Sequence, residues 1–183
     1  MFELRGGTCI LRSFSLPEIE FEKYYNWLCD YEVIKTLNLP SYVLPVSRST
    51  VEDYIKEVSR SDSDVFLAIY DKHTDNFIGT LKIGAISRLS GTADIGIMIG
   101  DRSFWGKGIG TSAISLSVEY CFNRLGLRKV TAGLMSINPG MKKCFEKIGF
   151  KQEACFRQQD FFEGGYVDHI YLGCFKEEYL KKH

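Results

Sequence analysis

A strand, a glycine-rich loop and a helix follow one another directly in the middle of this chain, and that succession constrains the fold more than any other feature. The segment "TADIGIMIG" alternates in side-chain character as a strand does, and it runs into "DRSFWGKGIGTSA", where Gly106, Gly108 and Gly110 occupy every second position and Lys107 stands between the first two. From about Ile109 to Leu125 the pattern is that of a long amphipathic helix, closed by Gly126. A plain tight turn explains one glycine easily and three poorly. A nucleotide P-loop needs its lysine after the last glycine, whereas Lys107 precedes Gly108 and Gly110. A dinucleotide fingerprint needs G-x-G-x-x-G in an early βαβ unit, and the spacing here is G-x-G-x-G. The physical reading is an anion cradle. The first turn of a helix presents unpaired N–H groups and the positive end of its dipole, and glycines let phosphate oxygens approach. Lys107, Thr111 and Arg102 add to it, so the loop suits a pyrophosphate.

The rest of the chain arranges itself around this unit. "GGTCILRSF" reads as a first strand. Pro17 opens a helix with Ile19, Tyr24, Trp27 and Leu28 at helical spacing, and the hydroxyls of "SRST" cap a second helix carrying Val51, Tyr54, Ile55 and Val58. "DVFLAIYD" and "NFIGTLKIGAIS" flank the turn "KHTDN" as a hairpin. After the long helix come the strand "RKVTAGLM", the short helix "NPGMKKCFEKIG" ending at Gly149, and the strands "FKQEACFRQQ" and "YVDHIYLGCF". The order predicts an α+β fold, with a mixed, mostly antiparallel sheet of about seven strands and about four helices. A strand-helix-strand crossover occurs only in the second half.

Composition narrows the function classes. The 183 residues fit one domain spanning 1–183, with a full apolar core. Lys+Arg and Asp+Glu both total 23, so no global field directs the chain to nucleic acid or to a membrane surface. Six cysteines are widely spaced without a Cys-x-x-Cys pair, which reads as reduced thiols and neither as a zinc site nor as a disulfide framework. The N-terminal stretch lacks the apolar run of a signal peptide, and nothing approaches a membrane span. The expectation is a soluble cytoplasmic protein without a metal.

"ADIGIMIGDRSFWGKGIGTSA" followed by "NPGMKKCFEKIGF" resembles the Gcn5-related N-acetyltransferase superfamily, in the branch of ribosomal-protein N-terminal, polyamine and amino-sugar acetyltransferases. The resemblance implies that acetyl-CoA lies between two splayed parallel strands, "IGIMIG" and "KVTAGLM". Its pantetheine arm would pair with the backbone at Met98 and Ile99. Its pyrophosphate would rest on the amides of Gly106, Lys107, Gly108, Ile109, Gly110 and Thr111. Asn138 matches an asparagine that faces the coenzyme; equally, Asn138 followed by Pro139 is a favoured helix start. Two positions depart from the pattern. Trp105 stands where the superfamily commonly has Gln or Arg, and Phe145 stands where many relatives carry the tyrosine that protonates the departing thiolate.

Acetyl transfer needs an uncharged amine, so a base has to help an alkylammonium lose its proton. Asp94 is the candidate, at a position where relatives often carry glutamate, and strand alternation puts it on one face with Gly96 and Met98. A solvated strand-end carboxylate is the bland alternative. Cys144 is adjacent to Phe145 but about 100° away around a helix, so it is no automatic replacement acid. Tyr166 and His169 can contribute from the last strands, and His169 as ordinary strand packing is the stronger expectation. Tyr24, Tyr25 and Trp27 lie where relatives shape the acceptor pocket, though helical spacing favours core.

The resulting expectation is an acetyl-CoA-dependent N-acetyltransferase working by direct attack of a primary amine. The leaning is to a small-molecule acceptor, an amino sugar on a nucleotide carrier or another small amine. A protein N-terminal acetyltransferase is the alternative, and a non-catalytic acyl-CoA-binding module is a third reading that Phe145 allows. A monomer or a homodimer is expected, without nucleic-acid or membrane partners.

Overall fold

The computed structural model describes residues 2–14, 18–37, 39 and 44–182. Its strands are β1 (Glu3–Arg5), β2 (Cys9–Ser13), β3 (Val65–Asp71), β4 (Phe77–Ser87), β5 (Thr92–Ile99), β6 (Lys129–Met135), β7 (Lys151–Phe162) and β8 (Gly165–Phe175). They form one sheet in the order β1-β2-β3-β4-β5-β6-β8-β7, antiparallel except for the pair β5–β6. The helices are α1 (Glu18–Cys29), α2 (Tyr31–Ile34), α3 (Arg48–Ser59), α4 (Ile109–Asn123), α5 (Pro139–Ile148) and α6 (Lys176–Lys182).

The architecture is the expected α+β fold, with eight strands and six helices among the described residues where about seven and four were read. The additions are all short. Gly6 and Gly7 break the N-terminal run, so that Glu3 to Arg5 folds back on β2 with Glu3 opposite Arg12. Three residues are too few for a period of two to show. α2 is a single turn capped by Asp30, whose carboxylate accepts from the Glu32 amide at 2.9 Å. α6 is rich in charge and anchors through Tyr179, packed 5.5 Å from Phe122. Pro17, read as the opening of the first helix, and the side chain of Ile19 lie outside the described residues.

Alternation splits the sheet's side chains between two layers. Leu67 and Ile69 of β3, with Ile95 and Ile97 of β5, bury themselves against α4, where Ala113, Ile114, Val118 and Cys121 are fully enclosed. Ala68 and Met98 point the other way, into an aromatic cluster with Phe14, Phe21, Tyr24 and Phe77 beneath α1 and α3. Tyr24 is therefore core, and Tyr25 and Trp27 pack partly buried against the same cluster. Ser47 caps α3 by accepting from the Thr50 amide at 3.1 Å, which fulfils the hydroxyl-cap reading. The cluster under α1 and α3 draws on β3, β4 and β5 and on no residue of β6, β7 or β8, which leaves Gly96 of β5 and Gly133 of β6 exposed on that face.

Candidate active site

β5 and β6 face each other over three rungs only, the last being Asp94 opposite Thr131. Beyond that rung each strand keeps its other neighbour: β5 stays on β4 as far as Ile99, and β6 stays on β8 as far as Met135. The two halves of the sheet hold their own strands, so a wedge opens between them. It forms a cleft of about 510 Å³ between the glycine loop, α2 and α5. A deeper cavity of about 110 Å³ continues it along Ile95, Gly96, Gly133 and Met135. Both are bordered by Thr36, Leu37, Ile97, Asn138 and Met141, so they are one space.

The glycine loop forms one edge of the cleft. Gly106 and Gly108 have φ of 74° and 79°, the left-handed region, and a Cβ at either would meet nothing within 4 Å. Backbone conformation, not crowding, calls for glycine there. Gly108 is the residue before α4 and offers no side-chain cap. The first three amides of α4, those of Ile109, Gly110 and Thr111, have no acceptor within the helix, and all three residues border the cleft. Met98, Ile99, Gly106 and Asn138 border it too. The Ile99 carbonyl accepts from the Trp105 indole at 2.8 Å, which ties the loop back onto β5.

Other residues fall differently. Lys107 does not border the cleft; its ammonium lies 5.1 Å from the Phe104 ring centre. Arg102 turns toward Asp30 at 3.8 Å. The cations on the cleft wall are instead Lys35, Lys143 and Lys147, against a single carboxylate, Glu32. Their signal was the i, i+4 spacing of Lys143 and Lys147 in "KKCFEK", which puts both on one face of α5. Cys144 also borders the cleft and Phe145 the deeper cavity, because the space wraps around α5; the helical turn between them does not remove Cys144 from the wall. Phe145 is 2% exposed and packs edge-on against Phe150.

Asn138 acts as the cap of α5, accepting from the Met141 amide at 3.1 Å, while its Nδ2 donates to Thr36 Oγ1 at 3.1 Å. It therefore tightens α5 and fastens the segment after α2 over the cleft.

Asp94 is half-buried and shares its sheet face with Gly96, one rung below the deep cavity, whose wall it does not itself form. Burial raises its carboxyl pKa, opposed by the hydrogen bond from Thr131 Oγ1 at 2.8 Å and by the His169 charge. His169 does line the cavity. Its Nδ1 lies 2.6 Å from Oδ2 of the buried Asp160. The expectation of plain strand packing for His169 missed this pairing. Tyr166 is 68% exposed at the β7–β8 turn and borders neither cavity. Among the described residues no cluster of three or more His, Cys, Asp or Glu is placed to hold a metal ion, and no helix is long and apolar enough to cross a membrane.

A sheet split at its parallel pair, with a helix N-terminus at the mouth of the split, defines a class: transferases that draw an acyl group from a coenzyme A thioester. The acetyltransferase (GNAT) domain family matches residues 9–151, and the chain belongs to that family. It is an acyltransferase whose acyl donor is acetyl-CoA. The chain is 33% identical to the probable N-acetyltransferase YjcK of Bacillus subtilis (strain 168) over 132 residues, 72% of each chain. It is 25% identical to the ribosomal-protein-serine acetyltransferase of Escherichia coli (strain K12) over 158 residues, 84% of this chain and 86% of that protein. Among solved structures it resembles spermidine N-acetyltransferase from Vibrio cholerae in complex with CoA and spermine. The TM-score is 0.83 at 21% identity, over 94% of this chain and 98% of that one.

Proposed function

We propose that the cleft binds acetyl-CoA with its pyrophosphate on the amides of Ile109, Gly110 and Thr111, its pantetheine along Met98 and Ile99, and its acetyl group at the deep cavity. The observation that carries this is the uncapped start of α4 at Gly108, opening on the cleft beside a wall with more cations than carboxylates. Lys143 and Lys147 add positive charge where the phosphates would lie. Asp94 supplies negative charge at the basic end of the site, because it stands one rung below the cavity, where it favours removal of the proton from the acceptor amine.

The acceptor is a small primary amine, and an amino sugar on a nucleotide carrier fits better than a polyamine. A polyamine carries several cations and calls for several carboxylates, whereas Glu32 is the single carboxylate among the described residues bordering either cavity. The whole chain, 1–183, works as one such transferase domain in the cytoplasm. Calorimetric titration with acetyl-CoA, followed by free-thiol release with a nucleoside-diphosphate amino sugar, a seryl dipeptide and spermidine, tests the reading. Binding with fastest thiol release for the sugar nucleotide is the expected result; fastest release with spermidine would reject the acceptor class.

A further inference from the structure

The deep cavity has one titratable side chain among the described residues of its wall, and that is His169. Its ring is fixed from both edges. Nδ1 is 2.6 Å from Oδ2 of Asp160, whose side chain is 2% exposed. At the other edge, Nε2 would lie 2.5 Å from a Cβ at residue 133, so the ring fills the notch that Gly133 leaves. The Tyr171 ring packs on it with centres 4.7 Å apart.

An ionised carboxylate can only accept, so a neutral His169 held on Asp160 carries its proton on Nδ1 and keeps its lone pair on Nε2, the edge that lies over Gly133 of the cavity wall. A buried carboxylate holding an imidazole in the tautomer that can take a proton is the arrangement general-base catalysis requires. Asp94 faces the same ring from β5, and its charge and that of the imidazolium attract. The groups around His169 are thus Asp160 from β7, Tyr171 from its own strand and Asp94 from β5, with no charged side chain from Thr131 to Met135 of β6.

Resting on the reading of the cleft as the acetyl-CoA site, we infer that His169 is the catalytic residue in contact with the acceptor amine and that Asp160 is its positioning residue. As the nitrogen–carbon bond forms and the thioester carbon–sulfur bond breaks, the amine proton passes to His169 Nε2. The electron pair leaves with the coenzyme sulfur. Asp94 then acts on the imidazolium through its charge, which explains why a carboxylate set back from the cavity belongs to the site.

The chain has three histidines, His73, His169 and His183, which makes the test simple. Diethyl pyrocarbonate should modify His169 in the free protein, and acetyl-CoA should block that reaction without protecting His73. In ¹⁵N-histidine spectra, neutral His169 should carry its proton on Nδ1, and Asp160→Asn should shift the proton toward Nε2. With the fastest of the three probe amines, His169→Gln should lower kcat about a hundredfold or more and remove the acidic limb of the pH profile. Asp160→Asn should lower kcat while leaving acetyl-CoA affinity unchanged. If acetyl-CoA fails to bind the wild type, the cleft reading itself falls. If it binds but leaves His169 modification unchanged, or if His169 is unreactive in both forms, or if His169→Gln keeps the wild-type pH profile, the His169 assignment is overturned while the cleft reading stands. Should none of the three amines react, the modification and tautomer results decide the matter alone.

Discussion

Thr131 donates its hydroxyl to Asp94 at 2.8 Å on the last rung that β5 and β6 share, so one hydrogen bond marks both the end of the parallel pairing and the start of the cleft. The bond favours the ionised form of a carboxylate whose burial favours the neutral one, and burial is the larger effect.

Asp94→Asn should therefore trade activity for stability. Burial raises the folded-state pKa above the ordinary 3.8, so the folded chain holds this proton more tightly than the unfolded chain does. The stability linked to the neutral carboxyl is complete below the ordinary value and is lost as pH rises through the raised value. At pH 7 the wild type bears the cost of a buried charge and Asp94→Asn does not. Thermal melts should show the variant more stable at pH 7, with the advantage vanishing near pH 3. Its acetylation rate should drop as well, because the His169 imidazolium loses the negative charge that faces it.

Gly108→Ala places a side chain at φ 79°, at a cost of about 1–2 kcal/mol in the left-handed region. It should also weaken acetyl-CoA binding by shifting the amides that follow. Gly110→Ala is the contrasting case: its φ is ordinary and the new methyl would meet Cys144 Sγ at 3.8 Å, a normal contact. Gly110→Ala should melt like the wild type, whereas the bulk of Gly110→Val should crowd the cleft. The readout is the acetyl-CoA thermal shift, which reaches about 2.7 kcal/mol at a hundredfold excess over Kd. A full shift in a folded Gly110→Val would sink the cradle assignment.

Gly133→Ala should be poorly tolerated although Gly133 is exposed on a strand. The added Cβ would stand 2.5 Å from His169 Nε2, and Asp160 prevents the ring from swinging away freely. A cost of about 1–3 kcal/mol is expected, read from chemical denaturation. Wild-type stability in this variant would mean that His169 is free to move.

Cys144→Ala should be nearly silent in turnover, and mixing with acetyl-CoA alone should leave no acetylated protein by mass. A thiol with an ordinary pKa near 8.5 departs tolerably as thiolate, so direct attack needs neither an acyl-cysteine nor an acid at Phe145. Phe145→Tyr should change turnover little, and its hydroxyl, entering a side chain only 2% exposed, should lower stability by about 1–3 kcal/mol. A hundredfold loss in a folded Cys144→Ala would instead make Cys144 an acid or an acyl carrier.

The sequence by itself determined whatever depends on neighbours along the chain. The order of the long elements, the glycine-opened helix, the Ser47 and Asn138 caps and the hairpin at Asp71 to Phe77 all rest on local periodicity and local hydrogen bonds, and they were legible. Tertiary structure decided what depends on register. Asp160 reaches His169 because β7 bulges: between the pairs Phe156–His169 and Asp160–Val167, residues 157–159 stand opposite Asp168 alone. Gln158 turns to φ 53° there, and its amide donates to Asp168 at 2.9 Å. Without those extra residues a different side chain would face the imidazole, and alternation along "FRQQDFF" gives no sign of the slip. The wedge between β5 and β6 is of the same kind. Neither strand announces where its partner departs, because each is held on its far side by another strand, β4 or β8, and the opening is the difference between those two allegiances.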